Sequence, residues 1–439
     1  MSPIGPARRP AVRPSGRAAR AGLLLLMALA GLLVAGRLRV TSAVRTTAVG
    51  RIPTAVVVDA RTRRVFVANM RSNTVSMLDA ASGTVLATIT VAPHPSALAV
   101  ATTVGRIFAV SDRVTPDGAG RVSVLDATSG RQLRTVAVGR GPHTLAVHEH
   151  TGRVFVTNQV DASVSLLDAR SGRLLRTVAV GQGPHALAVH KRAARVFVTN
   201  AGDGSVSVLD ARTGHVLRTS IVGLSPLAVA VVESLKRVFI ANGGLWYSGY
   251  QVTRGTVSVL LDEHTGAVVR TVPVGRNPGP LAVDERTGYV FVANQADNSV
   301  STVHAASGRV VRTVPLGLPP RAIAVDQRQD RVVVLTSEEF VPSAPAGRVQ
   351  VLDGRTGRLL HTVPVGADAT ALAVDERTGK VFAAAMNVYG LPAGSDNTRW
   401  LRAWLRRWLP WSWVSRLLPP VPAPTTGTVT MLDLAGVAA

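Results

Sequence analysis

Two histidines at matching positions are the side chains of this sequence best suited to chemistry. His143 and His185 each complete a Gly-Pro-His tripeptide. A pair of neutral imidazoles can hold a metal ion or exchange protons near neutral pH. Asp112 and Asp117 supply carboxylates in the same part of the chain. Together they suggest a candidate site for a hydrolase or lyase, with His143 and His185 as the catalytic residues.

The context of the two histidines favours a simpler interpretation. They occupy a repeated position at which the other copies carry Thr54, Ser96, Leu227, Gly279, Arg321 and Thr370. No ring of ligands forms, and duplication of one unit explains the pair. The chain has no cysteine, which removes thiolate ligands and nucleophiles. We expect no metal and no cofactor, and we favour a non-catalytic role.

Aromatic residues form a second group of candidates. Trp246, Tyr247 and Tyr250 lie in one long loop, where they are candidates for binding a ligand or a partner. The other five of the six tryptophans lie close together near the C-terminus: Trp400, Trp404, Trp408, Trp411 and Trp413.

The segment 399–410 predicts a short amphipathic helix that ends at Pro410. Its tryptophans and leucines fill one half of the helical wheel, and the opposite half carries Arg402, Arg406 and Arg407. Such a helix fits the surface of an anionic membrane. Packing against the rest of the chain and binding to a partner protein are the two alternatives.

A repeat that begins near residue 43 and continues to the C-terminus must position these residues. Each copy holds four short apolar or alternating runs separated by turn residues, which predicts four β-strands. The third run ends at an aspartate in most copies, with Asp262 in the fifth. Eight copies predict an all-β protein, a β-propeller of eight four-stranded blades. Seven blades and a stray repeat is the less economical alternative.

The two ends of the repeat array complement each other. The eighth copy stops after its third run, and residues 43–50 repeat the pattern of a fourth run. We therefore expect the N-terminal strand to complete the last blade and close the ring. Arginines repeated in the fourth run are expected to protect this outer edge from pairing with other chains.

The second run carries a recognisable motif in five copies, seen at Val154-Phe155-Val156-Thr157-Asn158, and a degraded version of it in the other three. On this motif the chain resembles the YVTN-repeat family of β-propellers, which are WD40-like repeat proteins. The resemblance covers about nine tenths of the chain. It implies a propeller, often exported, without a settled activity. Many members are described as seven-bladed, so a count of eight departs from the family pattern.

Four insertions interrupt the repeat, all between the second and third runs. They lie at about 112–121, 243–256, 337–348 and 386–428, and the last carries the predicted helix. In an up-and-down blade these connections share one side of the ring, so one mouth of the central channel is elaborated. Because loops carry function more often than the scaffold below them, we expect this mouth to be the working face.

The first 43 residues predict a signal peptide or a short signal anchor that precedes a propeller over 44–439. Five arginines between residues 8 and 20 precede an uncharged apolar run at 21–36. That run is shorter than a full membrane span. The propeller is therefore expected outside the cytoplasm, in the periplasm or at the cell surface, with 21–36 as its anchor if the segment is not cleaved.

The formal net charge of +23 comes almost entirely from arginine. Such a surface attracts anionic lipid or nucleic acid, but the phenylalanines recur at one core position and offer no stacking platform for bases, so nucleic acid is not expected. The predicted function is a monomeric, exported, non-catalytic binding or scaffold module. Its partner is an anionic membrane surface or an envelope protein. A lactonase-like hydrolase or lyase at the same mouth is the alternative.

Overall fold

The protein forms a ring of small antiparallel sheets. The computed structural model describes residues 44–112, 118–244, 246–247, 250–251, 255–261, 267–337, 347–387 and 426–434. Within these ranges, eight four-stranded sheets follow one another along the chain, and a separate two-stranded hairpin lies in the fifth. The predicted all-β propeller of eight blades is confirmed.

Blades 1 to 4 have the same strand order. After a short N-terminal strand β1 (Arg45–Ala48), their strands are β2 (Pro53–Asp59), β3 (Arg64–Asn69), β4 (Thr74–Asp79) and β5 (Val85–Thr90); β6 (Pro95–Ala101), β7 (Arg106–Ser111), β8 (Gly120–Asp126) and β9 (Gln132–Val138); β10 (Pro142–His148), β11 (Arg153–Asn158), β12 (Ser163–Asp168) and β13 (Leu174–Ala179); and β14 (Pro184–His190), β15 (Arg195–Asn200), β16 (Ser205–Asp210) and β17 (Val216–Ile221).

Blades 5 to 8 continue the pattern, with a hairpin inserted in blade 5. Their strands are β18 (Pro226–Val232), β19 (Arg237–Asn242), β20 (Trp246–Tyr247), β21 (Tyr250–Gln251), β22 (Thr256–Leu261) and β23 (Ala267–Pro273); β24 (Pro278–Asp284), β25 (Tyr289–Asn294), β26 (Ser299–His304) and β27 (Arg309–Pro315); β28 (Pro320–Asp326), β29 (Arg331–Thr336), β30 (Arg348–Asp353) and β31 (Leu359–Pro364); and β32 (Ala369–Asp375), β33 (Lys380–Ala385) and β34 (Thr428–Asp433).

The ring closes through its N-terminus, as the sequence predicts. β1 pairs with β34 in antiparallel register, with Arg45 opposite Met431, and so becomes the outer strand of blade 8. The strand itself covers four residues of the predicted 43–50 segment. Lys380 of blade 8 also donates to the carbonyl of Ala81 in blade 1. The closure gives the last blade four strands, like the other seven.

Each blade packs on the next through its second strand. Phe66, Phe155 and Phe239 occupy one position and are fully buried. Phe155 of blade 3, for example, packs in one cluster with Val196 and Val198 of blade 4. An alternating strand with both faces buried between sheets needs this apolar character throughout. The repeated phenylalanine is therefore the contact between blades.

The asparagine that ends the motif in five of the eight blades has a structural role in the upper half of the blade. Asn158 is fully buried, and its Nδ2 donates to the hydroxyls of Ser163 and Ser165 on the third strand, both at 3.0 Å. A Cβ on Gly139 would lie 2.6 Å from this side chain, so the link into blade 3 passes close over it. The motif thus fastens the second strand to the third.

Two faces of the ring follow from the strand directions. Connections from first to second and from third to fourth strands lie on one face, the lower face. Those from second to third strands, and from each blade to the next, lie on the opposite upper face. Every lower-face connection between described strands has four or five residues. Upper-face connections include residues 112–119, 243–255, 337–347 and 386–427.

Acidic caps stabilise the lower-face turns. Asp210 ends a third strand, and its Oδ1 accepts the backbone N–H groups of Arg212 and Thr213. Gly214 then takes a positive φ of 73°. Arg195 donates to the other carboxylate oxygen at 3.1 Å. These aspartates act as turn caps, in line with their sequence pattern.

One alignment made from the sequence was wrong. Leu261, not Asp262, lies opposite Arg237, at the position where Asp168 lies opposite Arg153. The fifth third strand is therefore offset by one residue from its sequence pattern. Arg237 donates to the carbonyls of Ala305 and Ala306 in blade 6.

Arginines of the outer strands have a role that their spacing does not show. Arg176 donates to the carbonyl of Thr213 at 3.1 Å, which joins blade 3 to a turn of blade 4. Arg270 makes the same kind of bond from blade 5 to blade 6. We expected these arginines to protect a free edge, and the structure shows that they also connect adjacent blades.

Helical structure in the described ranges is limited to two three-residue 3-10 turns, Met70–Ser72 and Glu233–Leu235. Neither comes near the length and apolar character that crossing a bilayer demands.

Candidate functional site

A cavity of about 610 Å³ opens at the upper mouth of the channel. Residues of blades 1, 2 and 3 form one side of it, and Ala322 and Ala371 of blades 7 and 8 form another. Its polar lining includes Thr54, Ser96 and His143. Each of these three residues directly follows the proline that begins an innermost strand.

The second residue of the innermost strand is polar in six consecutive blades, and the five residues that follow Arg321 of blade 7 form what we call the mouth arc: Thr370, Thr54, Ser96, His143 and His185. Three members bond to the next blade. Thr370 donates to the Pro53 carbonyl at 2.8 Å, and Thr54 donates to the Pro95 carbonyl at 3.1 Å. His185 bonds through Nδ1 to the Leu227 carbonyl at 2.9 Å. Side chains of the arc therefore reach toward the following blade.

Two members of the arc, Ser96 and His143, differ from the other three. The Ser96 hydroxyl is buried, and the described residues provide no hydrogen-bond partner for it. The His143 ring contacts the His185 ring edge to face, with the ring centres 4.5 Å apart and the planes at 74°. A buried hydroxyl without a partner is costly, which draws attention to this part of the cavity wall.

Both histidines of the pair are held in the neutral form. Burial, and to a smaller extent the neighbouring His185, lowers the pKa of His143 to about 4. Burial also lowers the pKa of His185, against the opposing effect of its bond to the Leu227 carbonyl. A carbonyl can only accept, so Nδ1 of His185 carries the proton and Nε2 keeps its lone pair. At neutral pH the pair offers lone pairs and no charge.

Asp112 lines the same cavity but is oriented toward a different histidine. Its Oδ1 lies 4.0 Å from Nδ1 of His94. Burial raises the pKa of Asp112, while His94 opposes this shift. Asp117, the second candidate acid, lies outside the described residues.

The arrangement supplies lone pairs and hydroxyls but no assembled acid–base relay. Acid–base or nucleophilic catalysis requires the reacting groups within hydrogen-bond reach of each other. In the described part of the mouth, Ser96 donates to neither histidine, and Asp112 pairs with His94. The geometry suits binding of a ligand or an ion better than hydrolysis.

The second pair of repeated histidines lies at the lower end of the same two strands. His148 is buried, and its Nδ1 accepts the backbone N–H of Thr151 at 3.2 Å. His190 does the same for Ala193 at 3.3 Å. Both replace the aspartate that caps this turn in four other blades and make the equivalent turn bond.

The aromatic loop of blade 5 forms a small hairpin on the upper face. Trp246 lies opposite Gln251, and Tyr247 lies opposite Tyr250. The hairpin begins beside Leu224, whose carbonyl accepts the backbone N–H of Gly244 at 3.1 Å. The candidate aromatic residues are thus placed on the elaborated face, next to the link between blades 4 and 5.

Two large apolar side chains on the upper face are unusually exposed. Ile221, at the upper end of β17, is 73% exposed, and Val160, in the upper turn of blade 3, is 61% exposed. Leu224 is 50% exposed. Exposed apolar residues on one face are a feature of protein-binding surfaces.

The predicted helix 399–410 lies outside the described residues, with all of its candidate membrane or partner contacts. In the described ranges, no three histidine, aspartate or glutamate side chains cluster as ligands for a metal ion.

Sequence reasoning missed Ser96 as a member of the site. Its residue type differs from those at the equivalent positions, so nothing in the repeat marks it. The position itself could have indicated it, because the second residue of the innermost strand is polar in six consecutive copies. Its missing partner becomes visible only when the next blade is in place.

Comparison with known proteins supports the fold and a propeller repeat. Residues 118–242 match the family model described as outer membrane protein assembly factor BamB, which is less than half of the chain. BamB from Moraxella catarrhalis superposes with a TM-score of 0.58 at 14% identity, covering 89% of this chain and 100% of that one. Hydrazine synthase from Kuenenia stuttgartiensis gives a TM-score of 0.53 at 13% identity, with 73% and 97% covered. No curated protein matches.

At these levels of sequence identity, the similarity to the two structures shows the fold alone. They support a propeller repeat family and do not by themselves show the YVTN-repeat family. The chain is an eight-bladed β-propeller with a repeat similar to that of BamB.

Proposed function

We propose that the protein is an exported binding or scaffold module of the cell envelope, and that its upper face is the working surface. The observation that carries this proposal is the difference between the two faces. Long connections occur only on the upper face, while every described lower-face connection keeps four or five residues. Selection for a stable ring alone gives no reason for this asymmetry, whereas binding at one face does.

Three further observations support a protein partner. The two most exposed large apolar residues among those described, Ile221 and Val160, lie on the upper face. The hairpin Trp246–Gln251 adds aromatic residues to the same face. The matched family is described as an outer membrane protein assembly factor. Aromatic and apolar residues at the centre of an interface supply most of its binding energy.

The test is to shorten the blade 5 loop. Residues 243–255 are replaced by Ala-Gly-Asp-Gly, the sequence of the four-residue turn 201–204 in blade 4. Asn242 and Thr256 are thereby joined as Asn200 and Ser205 are. We expect an unchanged unfolding midpoint and at least about a tenfold loss of envelope partners recovered after cross-linking in cells.

A matched control places the same tetrapeptide at 295–298 of blade 6, which leaves the length of that turn unchanged and keeps its aspartate. This variant should keep its partners. If the shortened variant recovered as much partner as the original chain, the blade 5 loop would not be part of the binding surface. Equal recovery after shortening each of the other long connections as well would contradict the proposal for the whole face.

Export is part of the proposal and is tested separately. Residues 1–43 combine arginines with the apolar run 21–36. Fused to an alkaline phosphatase that lacks its own signal, they should give enzyme activity outside the cytoplasm. Alkaline carbonate extraction then shows whether the segment remains as an anchor in the membrane. An inactive fusion would contradict export.

The segment 399–413 is proposed as a contact to an anionic membrane or an envelope protein. Its tryptophans and arginines have the composition of an interfacial helix. Replacing Arg402, Arg406 and Arg407 by glutamate should abolish sedimentation with vesicles containing about 30% phosphatidylglycerol if lipid is the partner. If the original chain and the triple glutamate variant sedimented equally with the vesicles, the lipid contact would be rejected.

A further inference from the structure

We propose that His143 and His185 form a binding site for one divalent transition-metal ion at the upper mouth. The site goes beyond the proposed binding role and does not depend on it. Four observations carry the inference: the proximity of the two rings, their available lone pairs, access from the cavity, and the unsatisfied Ser96 hydroxyl that lines the same cavity as His143.

The distance between the rings fits two imidazoles that share one ion. A metal about 2.1 Å from one nitrogen of each ring lies roughly 3.2 Å from each ring centre. With one nitrogen of each ring directed at the ion, ring centres 4.5 Å apart correspond to an angle near 90° at the metal, and ring planes at 74° are compatible with that arrangement. That angle is the one found between neighbouring ligands in an octahedral or square-planar complex. The two side chains come from adjacent blades, so the ring of the propeller holds them in place.

The second observation concerns the protonation of the rings. A metal ion requires a neutral imidazole with a free lone pair. The bond from Nδ1 of His185 to the Leu227 carbonyl fixes the tautomer and leaves Nε2 available. Ligating histidines in metal sites are typically oriented by the same kind of backbone carbonyl. His185 is therefore already in the state that a metal ligand needs.

The third observation is access. His143 lines the cavity of about 610 Å³, which leaves room for an ion with its water ligands. Among the residues described, no third histidine or carboxylate completes a ligand set. Water or a ligand from the cavity would fill the remaining positions. Such an open site resembles the ligand-accepting type more than a closed structural one.

The Ser96 hydroxyl supplies the last observation. Side chains at its position point toward the next blade, as Thr54 and Thr370 show. For Ser96 the next blade presents Pro142 and His143. The hydroxyl is buried there without a partner in the described structure. A water bound to the metal would satisfy it.

The experiment uses the full chain without an affinity tag, stripped with a chelator, and titrated separately with Cu²⁺ and Ni²⁺ in a calorimeter. We expect one dominant site per chain, tighter for Cu²⁺ than for Ni²⁺. Replacing either ligand, in His143→Gln or His185→Gln, should weaken binding by about tenfold or more. The Cu²⁺ electron paramagnetic resonance spectrum should show coupling to two nitrogens, which surface binding at single histidines does not give.

Two other histidines provide the controls. His148→Asp changes the lower end of the same strand and keeps a turn cap, since Asp284 occupies this position in blade 6. His361→Gln changes an outer strand. Both control variants should bind Cu²⁺ and Ni²⁺ with the affinity of the original chain.

Equal affinity in the original chain and in both ligand variants would overturn the proposal. So would the absence of any site tighter than about 1 mM. Thermal unfolding of each variant verifies that the propeller is intact. Because this assay contains no partner, a negative result would leave the proposed partner binding unaffected.

Discussion

The lower and upper faces of this propeller are built from the same eight repeats and use them differently. On the lower face, all described connections have four or five residues, and buried side chains cap them. On the upper face, connections between second and third strands range from four residues to the 42 of 386–427. The same strands thus end in closely similar turns below and in blade-specific structure above.

Hydrogen bonding alone does not separate the two faces. Asp375 on the lower face is buried with both carboxylate oxygens bonded, one to the N–H of Arg377 and one to the hydroxyl of Thr378. Buried atoms without a partner among the described residues occur on both faces, at Asp284 and Asp326 below and at Ser96 above. Ser96 differs from the lower-face groups because it lines the cavity at the upper mouth. The length of the connections is therefore the feature that distinguishes the upper face.

Removing a lower-face cap should give the largest effect on stability. Asp375→Ala leaves a buried N–H and a hydroxyl without an acceptor, so we expect a loss of about 2–3 kcal/mol of unfolding free energy. Urea unfolding followed by fluorescence measures it. Asp375→Asn, which keeps one acceptor, should lose about half as much. A loss below about 0.5 kcal/mol would show that the lower-face caps do not stabilise the fold.

Acid should destabilise the upper mouth through its buried histidine. Burial lowers the pKa of His143 to about 4, below the ordinary value of 6.5. The unfolded chain therefore binds more protons between these values, and stability falls as pH drops from 6.5 toward 4. The contribution approaches roughly 2–3 kcal/mol at pH 4. It should be measured with a chelator present.

The control for this pH dependence is His143→Gln, which cannot titrate. Its stability should fall less steeply than that of the original chain between pH 6.5 and 4, with the two curves parallel above pH 7. Identical slopes over the whole range would contradict the burial of His143. Burial lowers the pKa of His185 as well. The stability of a variant in which both histidines are replaced by glutamine should therefore depend on pH even less than that of His143→Gln.

Much of the fold could be predicted because each structural element repeats its residue types. The buried phenylalanine, the asparagine that ends the second strand and the Asp-x-x-Thr-Gly turn recur in register, so periodicity alone indicates strands and turns. Residues 43–50 predicted closure because they copy a fourth strand. Blade 5 was misaligned by one residue because Leu261 and Asp262 both fit the end of the strand pattern, and only pairing with Arg237 decides between them.

The mouth arc could not be predicted in the same way. Its members differ in type, so no repeated letter marks them, and their partners lie in the next blade. Thr54 and the Pro95 carbonyl, for example, are 41 residues apart. Whether Ser96 finds such a partner depends on backbone placement between blades. The histidine pair was visible in the sequence, but the edge-to-face contact and the tautomer of His185 were not.

Connections between lower-face turns should give an intermediate effect. Glu149 of blade 3 accepts the backbone N–H of Thr102 at 2.6 Å and that of Thr103 at 3.2 Å, across the boundary with blade 2. Glu149→Ala should cost about 0.5–1.5 kcal/mol in urea unfolding. Glu376→Ala is the matched control, since the described residues supply no such bond to Glu376, and should cost less than about 0.5 kcal/mol. If Glu149→Ala and Glu376→Ala lost the same unfolding free energy, the bonds from Glu149 to blade 2 would not stabilise the contact between blades.

The smallest effect is expected for Ser96 on the upper face. Ser96→Ala removes a buried hydroxyl that has no described partner, so stability should stay within about 0.5 kcal/mol or increase slightly. Thr54→Ala is the comparison, because Thr54 donates to the Pro95 carbonyl at 3.1 Å, and it should lose about 1 kcal/mol. If Ser96→Ala lost as much as Thr54→Ala, the Ser96 hydroxyl would be part of the scaffold and not an available group.

The most direct test of the upper face as the working surface is site-specific photo-cross-linking in cells that produce the protein naturally. A benzophenone amino acid is placed at Val160 or Ile221 on the upper face, and at Arg192 or Leu235 on the lower face. All four positions are exposed. The proposal predicts cross-links to a defined envelope partner from the upper positions and none from the lower ones. Cross-links from the lower positions alone would contradict it.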